Sequence, residues 1–185
     1  MQDQFLAPYI NSIYLAETVL KALFVFMSLF DMQYTIMVGC LASVLGVVRV
    51  CKIPEMNKAY MSKVIGNNHG QNILYMAFGS MGHINYLYYS PVVLFFGYGI
   101  VEFIKLRYPQ NSMNLYCDLI RTQKHHIMHS KHILEISFFV YLLLTFPLAP
   151  SRAIKAFVIA QLLLLKYKVN QEFRQSCTLV NNWII

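Results

Sequence analysis

The sequence predicts an all-α integral membrane protein: a helical bundle of three hairpins with interfacial amphipathic helices. Three observations predict it. Residues 64–101, a run of 38, contain no Asp, Glu, Lys or Arg. One bilayer crossing takes about 20 apolar residues, so this run is too long for a single span. Gly79, Gly82, Asn85, Ser90 and Pro91 interrupt it near its centre, as a turn between two helices would. Second, 57% of the chain is hydrophobic and 12% charged, against about 45–50% and about 25% in a soluble domain. Third, the cations gather in the segments between apolar runs, the habit of loops on one side of a membrane.

At 185 residues the chain reads as one membrane domain, 1–185. Its hairpins are expected over 9–48, 71–104 and 132–165, with an amphipathic tail over 166–185. The first apolar run, 9–30, holds Glu17 and Lys21 at i,i+4, where opposite charges meet on a helix. Such a pair is expected to satisfy itself or to face a neighbouring helix. Asp31, Gln33 and Tyr34 mark the turn. The return run, 32–48, carries Gly39, Ala42, Ser43 and Gly46. Gly39, Ser43 and Gly46 are the expected packing positions, because small residues let backbones approach where lipid removes the hydrophobic drive.

Between the first two hairpins, Arg49, Lys52, Lys58 and Lys63 stand against Glu55. Ile53, Met56, Tyr60 and Val64 share a helical face there, with Pro54 near its start, which predicts a short interfacial helix. In the middle hairpin, Tyr86, Tyr88 and Tyr89 cluster at the turn, at headgroup level. Residues 104–131 read as the most polar linker: Lys105, Arg107, Arg121, Lys124 and Lys131 face only Asp118. The third hairpin has short arms, 133–146 and 153–165, around Pro147 and Pro150. Arms of that length reach only about 20 Å as helix, less than a bilayer of about 30 Å unless flanking residues extend them. In the tail, Val169, Phe173, Val180 and Ile184 share one face, with Lys166, Lys168 and Arg174 mostly off it. Lipid headgroups or partner subunits are the expected contacts of Lys52, Lys58, Lys63, Lys105, Arg107, Arg121, Lys124, Lys166, Lys168 and Arg174. Net charge is +7, and the partner it suits is an anionic lipid surface. No basic patch with interleaved aromatics suggests nucleic acid. By the positive-inside rule the basic side faces the cytosol or a mitochondrial matrix.

Chemistry has one candidate. In KHHIMHSKHILE, His125, His129 and His132 fall at i, i+4 and i+7, and Glu135 follows at i+3. Imidazoles one turn apart can share a metal ion. Only His69 and His83 lie elsewhere, too few for a second ligand box, and Lys124 and Lys131 oppose a cation. A charged interfacial helix start is the favoured reading, and no metal and no catalytic residue is expected. No nucleophile elbow, P-loop or dinucleotide fingerprint occurs. Glu17, Lys21 and Glu102 offer little for a transport path. Cys40, Cys51, Cys117 and Cys177 form no CxxC pair and read as idle thiols. The amino end shows neither a basic secretory n-region nor an Arg- and Ser-rich presequence, and no N-x-[ST] sequon is present.

Four local patterns resemble the transmembrane protein 33 family of endoplasmic-reticulum and nuclear-pore-membrane proteins. They are Arg49 with Pro54; ILYMAF (73–78) with SPVVLFF (90–96); ILEISFF (133–139) with Glu135; and LLLLKYKVNQEFRQS (162–176) leading into the tail. The resemblance implies a non-enzymatic membrane protein of helical hairpins that meets membrane-shaping and nuclear-pore proteins and binds membrane through its carboxy-terminal helix. The expected role is therefore a structural or accessory subunit of a larger membrane assembly, for instance a respiratory complex of the mitochondrial inner membrane, with bound phospholipids but no cofactor. A membrane-shaping protein of the endoplasmic reticulum or nuclear envelope is the alternative, and a metal enzyme on the His125–His132 face the second.

Overall fold

A computed structural model describes residues 9–30, 34–52, 57–79, 86–110, 112–145 and 151–184. Among these residues all regular structure is helical. The helices are α1 (Ile10–Leu29), α2 (Thr35–Cys51), α3 (Lys58–Gly66), α4 (Asn68–Gly79), α5 (Tyr86–Arg107), α6 (Asn114–Thr122), α7 (Lys124–Thr145), α8 (Ser151–Val169) and α9 (Gln171–Ile184). They fall into two compact units, Met1–Ala77 and Phe78–Ile185.

In the first unit α1 and α2 pack along each other as the expected first hairpin. The side chains of α1 sort by helical period. Glu17, Thr18, Lys21, Phe24, Met27 and Ser28 form a buried stripe, while Leu15, Val19, Leu23, Phe26 and Leu29 point outward. The hydroxyls of Thr18 and Ser28 bond back to the carbonyls of Tyr14 (2.8 Å) and Val25 (2.7 Å), which satisfies them inside the hairpin. The buried stripe of α2 is the small-residue one, Gly39, Ala42, Ser43 and Gly46. Phe24 of α1 and Met76 of α4 lie against Gly39, where a Cβ would stand 2.6 Å from each. His69 of α4 lies against Gly46 so closely that a Cβ there would enter its ring. The two contacts run antiparallel along α2 and α4, and Ser43 of α2 and Asn72 of α4 lie between them in sequence. Both residues are fully buried. Asn57 caps α3 by accepting from the Tyr60 N–H at 2.7 Å, and the Asn67 side chain accepts from the His69 N–H at 2.8 Å.

Of the interfacial helix expected across 49–63, Arg49 belongs to α2 and Lys58 onward to α3; Ile53, Pro54, Glu55 and Met56 lie outside the described residues. The expected middle hairpin, 71–104, is divided between the units, with α4 in one and α5 in the other, and its turn at 80–85 lies outside the described residues. With 12 residues, α4 reaches only about 18 Å, short of a bilayer.

In the second unit α5 and α7, 22 residues each, would each reach about 33 Å. They pack together, with Tyr88 against Phe138 at 5.3 Å between ring centres and the Lys131 ammonium 4.8 Å above the Phe95 ring. α8 packs on α7, and α9 packs on both. The third hairpin thus differs from its expected extent. Its first arm starts at Lys124, because the histidine run is two turns of helix with its polar side buried. Its second arm runs on to Val169. The tail is not one helix over 166–185: the chain breaks at Asn170, whose side chain accepts from the Phe173 N–H at 3.1 Å and so caps α9. Phe173, expected on a lipid-facing stripe, is buried against His132 with ring centres 5.2 Å apart.

Among the described residues, three helical segments are long and apolar enough to cross a membrane: Ile10–Leu29, Tyr88–Arg107 and Lys124–Thr145. Thr35–Cys51 is apolar but shorter.

Candidate functional site

Among the described residues, each unit holds one buried carboxylate surrounded by cationic side chains. In the second unit it is Glu135, on the inner side of α7. Its own helix supplies Lys131 one turn earlier (Nζ to Oε1, 3.9 Å) and His132 (Nδ1 to Oε2, 3.3 Å). The next arm supplies Lys166, whose ammonium donates to Oε1 at 2.7 Å. All four side chains are buried. Lys166 was expected at the headgroups. It lies inside because α8 continues past Leu165 and turns that position toward Glu135. Taking a single ion from water into such surroundings costs several kcal/mol or more, which is why the group is assembled as a set.

In the first unit the carboxylate is Glu17 of α1. Lys21 approaches Oε1 at 2.5 Å, Arg49 of α2 donates from Nε to Oε2 at 2.6 Å and from Nη2 to Oε1 at 3.3 Å, and His69 of α4 stands 3.6 Å from Oε1. The Arg49 guanidinium also covers the Tyr14 ring at 4.4 Å. The expected Glu17–Lys21 pairing is present, and Arg49 and His69 extend it across the unit. The two centres share a plan: a carboxylate on the first arm of a hairpin, held by a cation near the end of the return arm 32 or 31 residues later.

A second polar chain adjoins the Glu135 centre. Ser176 of α9 donates to the Glu172 carbonyl at 3.0 Å. Its oxygen therefore accepts from Nδ1 of His129 at 2.5 Å, which leaves Nε2 of His129 to accept from His125 at 2.7 Å. The histidine run is thus divided. His125 and His129 tie α7 to α9, while His132 turns to Glu135. Among the described residues no group of three or more His, Cys, Asp or Glu side chains is placed to hold a metal ion. His83 lies outside them.

Every carboxylate oxygen in the two centres has a partner: both oxygens of Glu17 and Oε1 of Glu135 face Lys or Arg, and Oε2 of Glu135 faces the His132 imidazole. The arrangement fixes one helix against the next, and it keeps no carboxylate directed at an open cleft. An apolar groove of about 470 Å³ does open between α7, α8 and α9, lined by Ile136, Phe139, Ala160, Leu163, Cys177 and Val180 among others. Burial pushes the Cys177 thiol up, away from the reactive thiolate. All four cysteines are free.

Of the other expected headgroup contacts, Lys52, Lys58, Lys63, Arg107, Arg121, Lys124, Lys168 and Arg174 are exposed. Lys105 is half-buried and pairs with Asp118 at 2.7 Å. Gly39, Ser43 and Gly46 are buried on α2. Sequence reasoning missed Arg49, His69 and Ser176 as polar partners. The available signal was a lone Glu in each apolar first arm with cations at the end of its return arm, Arg49 in one and Lys166 and Lys168 in the other. No family model, curated protein or solved structure matches the chain.

Proposed function

We propose that the chain is a non-catalytic scaffold of helical hairpins in a membrane, an accessory subunit that fills and shapes the bilayer edge of a larger assembly. One observation carries the reading: burial runs opposite to that of a water-soluble protein. On α1, Glu17 is 0% exposed and Leu29 63%; on α7, Glu135 is 0% and Leu144 75%. Water would favour the reverse, and apolar faces of this extent on helices of spanning length suit lipid. The cations of the second unit support the same reading. Arg107 ends α5, Lys124 starts α7 and Lys168 lies at the end of α8, so these three share one end of the helices, while Arg152 and Lys155 start α8 at the other; the larger share lies at the first end, the bias the positive-inside rule describes.

The scaffold role is favoured over chemistry because the buried ionic groups engage one another. The resemblance to the transmembrane protein 33 family supports the same class. The groove between α7, α8 and α9 suits a lipid acyl chain. Alkaline carbonate should leave the chain in the membrane pellet. After mild detergent extraction it should migrate on native gels well above its own 21.5 kDa. Release by carbonate would overturn the membrane reading. Migration as a free monomer would overturn the subunit reading and leave the membrane-shaping alternative, which imaging at the nuclear envelope would test.

A further inference from the structure

The 104–131 segment, a polar linker by its sequence, contains α6, and the apolar side of that helix faces outward. Leu115 is 77% exposed, Tyr116 65% and Leu119 62%. These positions follow i, i+1 and i+4 and share one arc of the helix. Leu106, Tyr108 and Met113, just before it, are exposed as well. None of α6 belongs to a segment of spanning length.

The orientation of α6 is fixed. Cys117, on its other side, is buried. Asp118 accepts from Lys105 at 2.7 Å and so ties the helix to the end of α5. The Asn114 amide donates to the Tyr108 carbonyl at 3.2 Å and also to that of Pro109, closing the entry turn. The apolar arc cannot roll inward without breaking these contacts. Both ends are bracketed, too: α5, of spanning length, ends at Arg107, and α7, also of spanning length, begins at Lys124. The connections are residues 108–113 and Gln123. Six residues reach about 20 Å at most, so α6 stays at the level where both spans leave the bilayer. Around it stand Lys105, Arg107, Arg121 and Lys124 against Asp118, four cations and one carboxylate, a net +3 for residues 104–124.

We propose that α6 lies in the plane of the membrane interface, with Leu115, Tyr116 and Leu119 seated among the headgroups and upper acyl chains of an anionic leaflet. The proposal rests on the membrane reading above and adds the lipid that one face of the protein selects. The apolar arc supplies depth and the flanking cations supply preference for negative headgroups. Lipid is favoured over a protein partner because the tethers hold the arc at the interface and the charge around it is net positive, four cations against Asp118.

The test uses the full-length chain reconstituted in vesicles. Leu115→Trp and Leu119→Trp are made separately in a Trp183→Phe background, so that the introduced indole is the only one present. In phosphatidylcholine vesicles containing phosphatidylglycerol, both should emit at blue-shifted wavelengths. They should be quenched by lipid brominated near the headgroup more than by lipid brominated near the chain end, and shielded from aqueous iodide. Arg107→Glu with Lys124→Glu should remove the extra shielding that phosphatidylglycerol gives. Iodide-accessible, red-shifted emission in both vesicle types would overturn the proposal, and so would an arc shielded only in native membranes, where a protein could cover it. Equal shielding with and without phosphatidylglycerol would overturn the anionic preference. Carbonate extraction of the same variants separates failure here from failure of the membrane reading.

Discussion

Glu135→Gln is expected to lower stability by about 3–5 kcal/mol, the cost of leaving buried ions without their counter-charge. The substitution keeps the shape of the side chain but removes the charge that Lys166 meets at 2.7 Å and Lys131 at 3.9 Å. Those ammonium groups sit in a buried site and cannot regain the hydration they gave up. Denaturation of the full chain in detergent, followed by circular dichroism, reads the loss. A companion variant separates charge from shape: Glu135→Leu with Lys131→Met and Lys166→Met removes all three formal charges and should recover most of the lost stability. Unchanged stability in Glu135→Gln would show that the cluster does not hold α7 to α8.

Gly46→Ala is expected to lower stability by about 1–3 kcal/mol through overpacking. Its Cβ would enter the His69 ring. His69 has little freedom to move, because it is buried with its Nε2 3.6 Å from Glu17. Gly97→Ala is the matched control. Space around Gly97 is open, and alanine in a helix interior should add up to about 1 kcal/mol. The pair, measured in the same unfolding assay, separates close packing from helix propensity. A neutral Gly46→Ala would mean that α4 does not seat against α2 through this notch.

How legible the chain is depends on the range of the interaction. The first hairpin is plain in the sequence because its signals are local: an apolar run, a small-residue stripe at Gly39, Ser43 and Gly46, and an i,i+4 pair at Glu17 and Lys21. The third hairpin was misjudged in extent because its polar residues have distant partners. Lys131 and Lys166 look like the edges of a membrane segment when read in one dimension. Folding brings both to Glu135, and the helices run through them. The tail shows the same limit. Its 3.6-residue pattern is real, but Asn170 starts a new helix and Phe173 turns inward, which needs α7 as the reference. The exposed apolar side of α6 is hidden in the sequence for the opposite reason. Its three large residues are diluted among cations, and only the fixed position of Cys117 and Asp118 shows which way they point.

The central claim is that the apolar outer faces meet lipid while the polar stripes meet one another. Carbene photolabelling from within the bilayer, read residue by residue by mass spectrometry, tests it most directly. Insertion is expected at the exposed Leu23, Phe26, Leu144 and Phe157 and not at the buried Phe24 and Phe138. Labelling of Phe24 and Phe138 at the level of their exposed neighbours would contradict the fold. Modification of Leu23, Phe26, Leu144 and Phe157 by a water-borne reagent, with none from the bilayer, would contradict the membrane.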